Sequence, residues 1–275
     1  MAHFLLVASA HIDRVWHLEG PLVPGGRQRH RRVERRYGGG GFHTGSVLLA
    51  LGHRVTLATA LSGDAEGRRH RAALAARGFG MAAVETVDQP TEPLEILLDP
   101  AGERTILLPT RPRRLTRPVA AGDADLVYLN VRDRPDCRDA PAARTVAQMP
   151  LDAAERRPAA VLVGSRADLK APDAALRERA RGVAGPDFRH LFLTAGPEPV
   201  AVISDGGADA VPVPPLPAGT DTTGAGDFFA AGLLDALAGG LPPAAAAAHA
   251  AAIAARVLAD RRRYLDDRIA EGRQC

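Results

Sequence analysis

Short apolar runs alternate with longer amphipathic stretches along most of the chain. The apolar runs have the length of buried strands, and the stretches between them have the length and spacing of helices. The predicted strands are residues 4–9, 53–60, 126–129, 160–163 and 191–194. The predicted helices are a glycine-led segment ending at Gly52 and residues 65–77, 224–238 and 242–260. This alternation predicts an α/β fold with a mostly parallel sheet and helices on both faces.

Two segments do not fit this layering. Residues 94–98 and 104–108 flank D-P-A-G-E, which is typical of a hairpin turn. Residues 14–37 are mixed in character and rich in Pro and Gly. We therefore predict a single domain over residues 1–275, with segments of about 14–37 and 90–110 inserted as a small β lid.

The composition limits the available chemistry. Apolar residues make up 46% of the chain and aromatic residues 4%, so Ala, Val and Leu must fill most of the core. Lys170 is the only lysine, which excludes the G-K-[ST] of a P-loop. The net charge is only +3, and the arginine-rich run at 27–36 lacks the interleaved aromatic residues of a nucleic-acid site. We expect no nucleic-acid partner, although arginines on the lid edge would suit an anionic substrate.

Neither the cysteines nor the apolar segments indicate secretion or membrane insertion. Cys137 and Cys275 fit no C-x-x-C metal site and no disulfide framework, which favours a reducing compartment. No basic region precedes the N-terminal apolar run. The alanine-rich segment 244–259 is interrupted by His249 and Arg256. We expect a cytoplasmic protein that does not cross a membrane.

The most informative motif is T-D-T-T-G-A-G-D at residues 220–227, directly before an apolar helical stretch. Gly224, Ala225 and Gly226 leave backbone N–H groups uncovered at the helix start, where the helix dipole favours an anion. Asp227 adds a carboxylate in the first turn. A base beside an anion-binding turn is what phosphoryl transfer to a hydroxyl requires.

This string resembles the D-T-x-G-A-G-D signature of the PfkB/ribokinase family of sugar and nucleoside kinases. The resemblance implies a ribokinase-like three-layer αβα sandwich and an ATP-dependent carbohydrate kinase, which phosphorylates a hydroxyl of a sugar or related small molecule. It implies that Asp227 is the catalytic base and that the amides of Gly224, Ala225 and Gly226 hold the charge developing on the γ-phosphate. Asp221 and Thr223 match positions that hold a monovalent cation such as K⁺ in many members.

A glycine-rich stretch at residues 38–52 precedes a predicted helix and resembles the segment with which the family grips substrate hydroxyls. Alignment on its final L-G places the family's glycine pair at Gly38 and Gly39. His43 then stands where the family usually has Asn. Because histidine lacks the two-pronged amide, this change argues against ordinary ribose or ketohexose recognition.

Asp13 follows the first predicted strand, and the carboxyl ends of parallel strands face the ligand crevice. It matches the family's early Asp, which binds sugar hydroxyls. The neighbouring His11 is predicted to be structural.

Two further stretches resemble the family's nucleotide and metal positions. Ser165 and Asp168, in V-G-S-R-A-D, stand where the family has N-x-x-E, so one acidic group remains to act on Mg²⁺ and the amide is absent. Thr194 and Gly196 match the T-x-G turn near the nucleotide phosphates. The resemblance thus implies ATP and Mg²⁺ as cofactors and a sugar-like small-molecule substrate, and it allows a homodimer formed through the lid.

Three alternatives stay open at this point. A nucleoside kinase would differ only in its acceptor. A nucleotide-binding relative with weak or absent turnover would account for the changes at His43 and Ser165, although Asp227 is intact. A Rossmann dehydrogenase is disfavoured, because the glycine run at 38–41 lacks the G-x-G-x-x-G spacing and the acidic residue that should follow it.

Overall fold

The computed structural model describes residues 1–131, 137, 139–152 and 154–269, so Cys275 lies outside the described part. Within that part, the strands form two sheets. In chain order they are β1 (His3–Ala8), β2 (His11–Leu18), β3 (His30–Gly38), β4 (Arg54–Ser62), β5 (Val84–Val87), β6 (Leu94–Leu98), β7 (Arg104–Leu107), β8 (Leu126–Asn130), β9 (Thr145–Gln148), β10 (Val161–Ser165), β11 (His190–Ala195), β12 (Glu198–Ser204) and β13 (Gly207–Val211).

The larger sheet has nine strands in the order β13-β12-β11-β10-β9-β8-β1-β4-β5. Every neighbouring pair from β5 to β11 is parallel. Strands β12 and β13 are added at one edge as antiparallel hairpins. The mostly parallel sheet predicted from the alternation of strands and helices is therefore confirmed.

Helices cover both faces of the larger sheet. Those of the described residues are α1 (Gly40–Ala50), α2 (Ala65–Ala76), α3 (Asp173–Ala184), α4 (Ala225–Ala238), α5 (Pro243–Ala259) and α6 (Arg261–Leu265). Along β1, Phe4 and Leu6 belong to a core cluster with α1, α4 and α5, whereas Leu5 and Val7 belong to a cluster with α3. Because successive side chains of a strand point to opposite faces, the two clusters lie on opposite sides. This confirms the predicted three-layer αβα sandwich.

The smaller sheet has four strands in the order β3-β2-β6-β7. Strand β2 pairs antiparallel with β3 and parallel with β6, and β6 and β7 form the hairpin around D-P-A-G-E. Val15, Ile96 and Leu98 form its own small apolar cluster. This sheet occupies the segments in which the sequence predicts a lid.

The smaller sheet is anchored to the rest of the protein at the end of β3. Arg35 forms an ion pair with Glu66 of α2. The backbone N–H of Tyr37 donates to the Asp267 carbonyl (2.7 Å), and that of Ile269 donates to the Arg35 carbonyl (2.9 Å). Since β3 runs almost directly into α1, the position of this strand is coupled to the start of that helix.

Several elements escaped sequence prediction. Strands β5 and β9 have only four residues each, and β13 is mostly exposed, so none shows a distinct apolar run. Helix α3 was also not predicted, although its sequence contains a helical pattern: Leu176, Ala180 and Val183 are apolar at helical spacing and are buried. Among the described residues, no helix has the length and apolar character needed to cross a membrane.

His70 makes stability depend on pH. It is 1% exposed, its ring stacks on Tyr37 with 5.1 Å between ring centroids, and burial lowers its pKa to about 3. The folded protein keeps this ring neutral, whereas the unfolded chain protonates it below its ordinary pKa of 6.5. Stability is therefore complete above pH 6.5 and falls towards pH 3, by at most about 1.4 kcal/mol per pH unit.

The variant His70→Phe keeps a stacked ring without a titrating group. Urea unfolding at pH 7 and pH 5 should show a larger loss of stability in the native protein than in this variant. Equal losses in the two proteins would contradict the assignment to His70.

Candidate active site

Asp227 lies in the first turn of α4 with its carboxylate between two side-chain donors. His43 Nδ1 is 3.1 Å from Oδ2, and Asn130 Nδ2 is 3.3 Å from Oδ1. The hydroxyl of Thr44 donates to the Asp227 carbonyl at 3.1 Å, which fixes the turn against α1. The carboxylate is 23% exposed. Its position is thus held from three sides while it remains open to a ligand.

The turn before α4 has the properties of an anion site. Gly224 caps the helix in the left-handed region, at φ 82°, and makes no side-chain cap. Within the described residues, the Ala225 N–H, which was predicted to hold the phosphate, donates instead to the Thr222 carbonyl at 3.0 Å, whereas the N–H groups of Gly226 and Asp227 find no backbone acceptor. A side chain built on Gly226 would meet nothing within 4 Å. The helix N-terminus thus offers two unpaired backbone donors, with open space beside Gly226, and this fits a terminal phosphate.

His43 supports Asp227 from the protein interior. It is 4% exposed, and its second ring nitrogen, Nε2, is 3.4 Å from an Nη atom of Arg261. Arginine can only donate, so Nε2 accepts, and the ring hydrogen lies on Nδ1, facing Asp227. Although aligned with a substrate-binding Asn, His43 lies behind the carboxylate and does not line the cleft described next.

A cleft of about 870 Å³ opens at the carboxyl ends of β1, β4, β8, β9 and β10. Ligands of parallel α/β sheets bind at this edge. Its walls include His11 and Asn130 at one end and Ser165 and Asp168 at the other. Asn130 lines the cleft and also contacts Asp227, which is not itself a lining residue, so this amide links the cleft wall to the carboxylate.

The acceptor residues predicted near the N-terminus lie together, but mostly behind the cleft wall. Asp13 is 3% exposed, and its Oδ1 is 2.8 Å from His11 Nδ1. A Cβ on Gly38 would lie 2.0 Å from Asp13 Oδ2, so glycine is needed there. Gly39 is the N-cap residue of α1. In this structure His11 lines the cleft, and Asp13 positions its ring from behind. The sequence predicts the opposite arrangement, with Asp13 at the substrate and His11 in a structural role.

Asn130 is the site residue that the sequence analysis missed. It ends β8, lines the cleft and contacts Asp227. Position 43 has histidine in place of the family's Asn, and Asn130 at the end of β8 supplies a side-chain amide to the site instead. The signal was present, since Asn130 directly follows the predicted strand 126–129, at the edge where parallel strands present ligand-binding groups.

The predicted nucleotide residues lie on adjacent strands. Ser165 and Thr194 are register partners of β10 and β11, and Thr194 donates from its hydroxyl to the Gly164 carbonyl at 3.3 Å. Gly196 turns β11 into β12 at φ 63° with open space beside it. These residues flank the cleft end that Ser165 lines, which is compatible with a bound phosphate chain.

The residues present suit a magnesium ion carried by a nucleotide better than one held by protein alone. Asp168 is exposed and lines the cleft. Among the described residues no group of three His, Cys, Asp or Glu side chains could hold a metal. Mg²⁺ usually keeps several waters and binds through one or two carboxylates and substrate phosphates, so a single carboxylate at Asp168 fits.

The predicted cation residues are engaged by arginines. Asp221 is bonded to Arg36, and the Thr223 carbonyl is bonded to Arg261. Burial alone would raise the pKa of Asp221, but hydrogen bonds from Arg36 and Thr223 outweigh it and lower the pKa to about 2. The carboxylate is thus ionised at neutral pH.

Comparison with known proteins agrees with this architecture. The family described as pfkB family carbohydrate kinase matches residues 157–263, which include the 220–227 motif. No curated protein sequence gives a significant match. The match and the fold confirm the resemblance to the PfkB/ribokinase family.

Solved structures of similar fold cover nearly the whole chain. A nucleoside kinase from Burkholderia thailandensis in complex with inosine has a TM-score of 0.74 at 17% identity, covering 95% of this chain and 93% of its own. Ribokinase from Thermotoga maritima has a TM-score of 0.68 at 17% identity, with 93% and 92% covered. Ribokinase from Cryptococcus neoformans in complex with ADP has a TM-score of 0.65 at 17% identity, with 95% and 100% covered. At these identities the likeness establishes the fold.

Proposed function

We propose that this chain, which has the ribokinase fold and matches the pfkB family over residues 157–263, is an ATP-dependent kinase of a sugar-like hydroxyl. The observation that carries the proposal is Asp227, a partly open carboxylate beside two unpaired helix N-terminal amides. Base and anion site together match the needs of phosphoryl transfer.

In the proposed reaction, Asp227 accepts the proton of the acceptor hydroxyl as that oxygen attacks the γ-phosphorus. The bond between the γ-phosphorus and the leaving ADP oxygen breaks, and the amides of Gly226 and Asp227 stabilise the transferring oxygens. His43 and Asn130 orient the carboxylate. When bound, Mg²⁺ would neutralise phosphate charge, with Asp168 acting on it from the cleft wall.

The acceptor is proposed to bind at the His11 end of the cleft. The resemblance assigns Asp13, Gly38 and Gly39 to the acceptor hydroxyls, and their place behind this end of the cleft suits a supporting role for His11. A nucleoside acceptor is the second candidate, because the nucleoside kinase solved in complex with inosine has a similar fold. ADP release measured across a panel of sugars and nucleosides separates the two, and ATP binding without release from any acceptor would favour a nucleotide-binding relative that lacks turnover.

The nucleotide end is proposed to lie at Ser165, Thr194 and Gly196. We further propose one domain over residues 1–275, in which the four-stranded sheet acts as the lid and excludes water from the transfer. Ile106 and Leu107 of β7 and the following Leu108 are exposed, which supports a homodimer through the lid. A cytoplasmic location remains part of the same proposal.

Replacing Asn130 by alanine tests the acceptor end. A hydrogen bond to a charged group is worth about 1.5–3 kcal/mol, so we expect kcat/KM for the acceptor to fall by roughly ten- to a hundredfold. The KM for ATP should change little. Gln148 lines the same cleft and makes no bond to Asp227, so Gln148→Ala is the comparison and should lose less. An equal loss in both variants would argue against a specific role for Asn130.

A further inference from the structure

The two residues that the resemblance assigns to a monovalent cation, Asp221 and Thr223, already have donors on their oxygens in this protein. Asp221 Oδ2 accepts from Arg36 Nη1 at 2.7 Å, and its Oδ1 accepts from the Thr223 backbone N–H at 3.0 Å. The Thr223 carbonyl accepts from Arg261 Nη1 at 2.6 Å. Two guanidinium groups therefore occupy the carboxylate and the carbonyl that a K⁺ ion would need as ligands.

Arg36 is held rigidly in place. It is 7% exposed, and Glu34 accepts from its Nε at 2.9 Å. A buried arginine that bonds two carboxylates is expensive to displace, because removal would leave buried charges unpaired. A K⁺ ion at Asp221 would also lie next to this guanidinium and be repelled by it.

Arg261 is fixed in the same manner on the other side of the turn. Its Nε donates to Asp267 Oδ2 at 2.7 Å, and its guanidinium lies 5.4 Å from the centroid of the Phe228 ring. The same side chain contacts His43. The residues present thus do not fit a monovalent cation at Asp221 and Thr223.

We propose that Arg36 and Arg261 replace the monovalent cation as positioning residues, holding the 221–224 turn so that phosphoryl transfer is independent of K⁺. This inference rests on the proposed kinase function. Arg36 lies two residues before the end of β3, so it also couples the smaller sheet to the turn that carries the anion site. A protein arginine, unlike a K⁺ ion, cannot dissociate, and the turn stays organised at any salt composition.

The first test uses the unmodified protein in KCl, NaCl and choline chloride at equal ionic strength. Thermal unfolding and ADP release from ATP with the acceptor panel are both measured. We expect the same Tm and the same kcat/KM in all three salts. A rise in Tm or in kcat/KM that is specific to KCl would overturn the inference.

The second test uses variants of the arginine. Arg36→Ala is expected to lower kcat at least about tenfold, with partial recovery on adding guanidinium chloride or KCl at millimolar concentration, and Arg36→Lys should retain more activity. Arg35→Ala is the matched control, because Arg35 adjoins it on β3 but pairs with Glu66, so its loss should be smaller and should not recover on adding cations. If Arg36→Ala behaves like Arg35→Ala, or if its loss is insensitive to added cations, the positioning role is wrong.

Failure of the kinase proposal remains distinguishable from failure of this inference. If no acceptor releases ADP in any salt, the kinase function is refuted. The Tm comparison across the three salts still decides whether K⁺ binds, since it requires no turnover.

Discussion

Replacing Asp227 by asparagine is expected to lower kcat about a thousandfold while ATP binding persists. The amide keeps the size and hydrogen-bonding reach of the carboxylate but cannot accept the acceptor proton, and a positioned general base contributes about 10²–10⁴-fold. The helix N-terminal amides that would hold the phosphate are untouched. Calorimetry with ATP should therefore give a similar Kd for both proteins, and only ADP release should fall.

Asp235 provides the matched control on the same helix. It is also 23% exposed and bonded to histidines, with 2.9 Å to His53 Nε2 and 2.7 Å to His249 Nε2. Asp235→Asn should lower Tm by weakening these pairs and leave kcat nearly intact. Asp227→Asn should instead lower kcat strongly and change Tm little. Turnover at the native rate in Asp227→Asn would refute the base assignment.

Replacing Gly224 by alanine is expected to lower kcat by about a hundredfold, through displacement of the groups around the base. At φ 82° an L-residue is strained by about 1–2 kcal/mol. The added Cβ would also lie 2.9 Å from His43 Nδ1 and 3.0 Å from the Phe228 ring. A shift of about 1 Å in a catalytic group can cost a hundredfold in rate.

Gly240→Ala is the control that distinguishes backbone strain from the contact with His43. Gly240 follows the same helix at φ 72°, and a Cβ added there would have no neighbouring atom within 4 Å. Gly240→Ala should therefore lose similar stability in urea unfolding but keep kcat. If both alanine variants retain kcat, the contact between Gly224 and His43 does not matter for the site.

The motif at 220–227 could be interpreted locally because its chemistry is local. A run of small residues before an apolar helix sets the backbone of the anion turn, and Asp227 is positioned by its own first turn. The same holds for the long buried strands and amphipathic helices, whose periodicity is visible within a few residues. Strands such as β13 escaped prediction because pairing with β12, not an apolar pattern of their own, defines them.

The side chains that contact the 220–227 motif could not be identified from local sequence patterns. His43 is 184 residues from Asp227 in the chain, Asn130 is 97 residues away, and Arg36 is 185 residues from Asp221. The sequence marked His43 and Ser165 as departures from the family pattern, but it contained no sign of what surrounds them. The direction of the His43 ring also depends on Arg261, which lies in a short helix near the end of the described chain.

By itself, the sequence predicted the αβα class, which the structure confirms, and it pointed to the turn and the candidate base at residues 220–227, because each depends on residue types at short spacing. Tertiary structure alone decided which side chains hold Asp227, that Asn130 and His11 line the cleft, and that arginines engage the predicted cation residues. The physical reason is that parallel strands distant in sequence end at one edge of the sheet. Hydrogen bonds made there depend on register and helix packing, which no local pattern encodes.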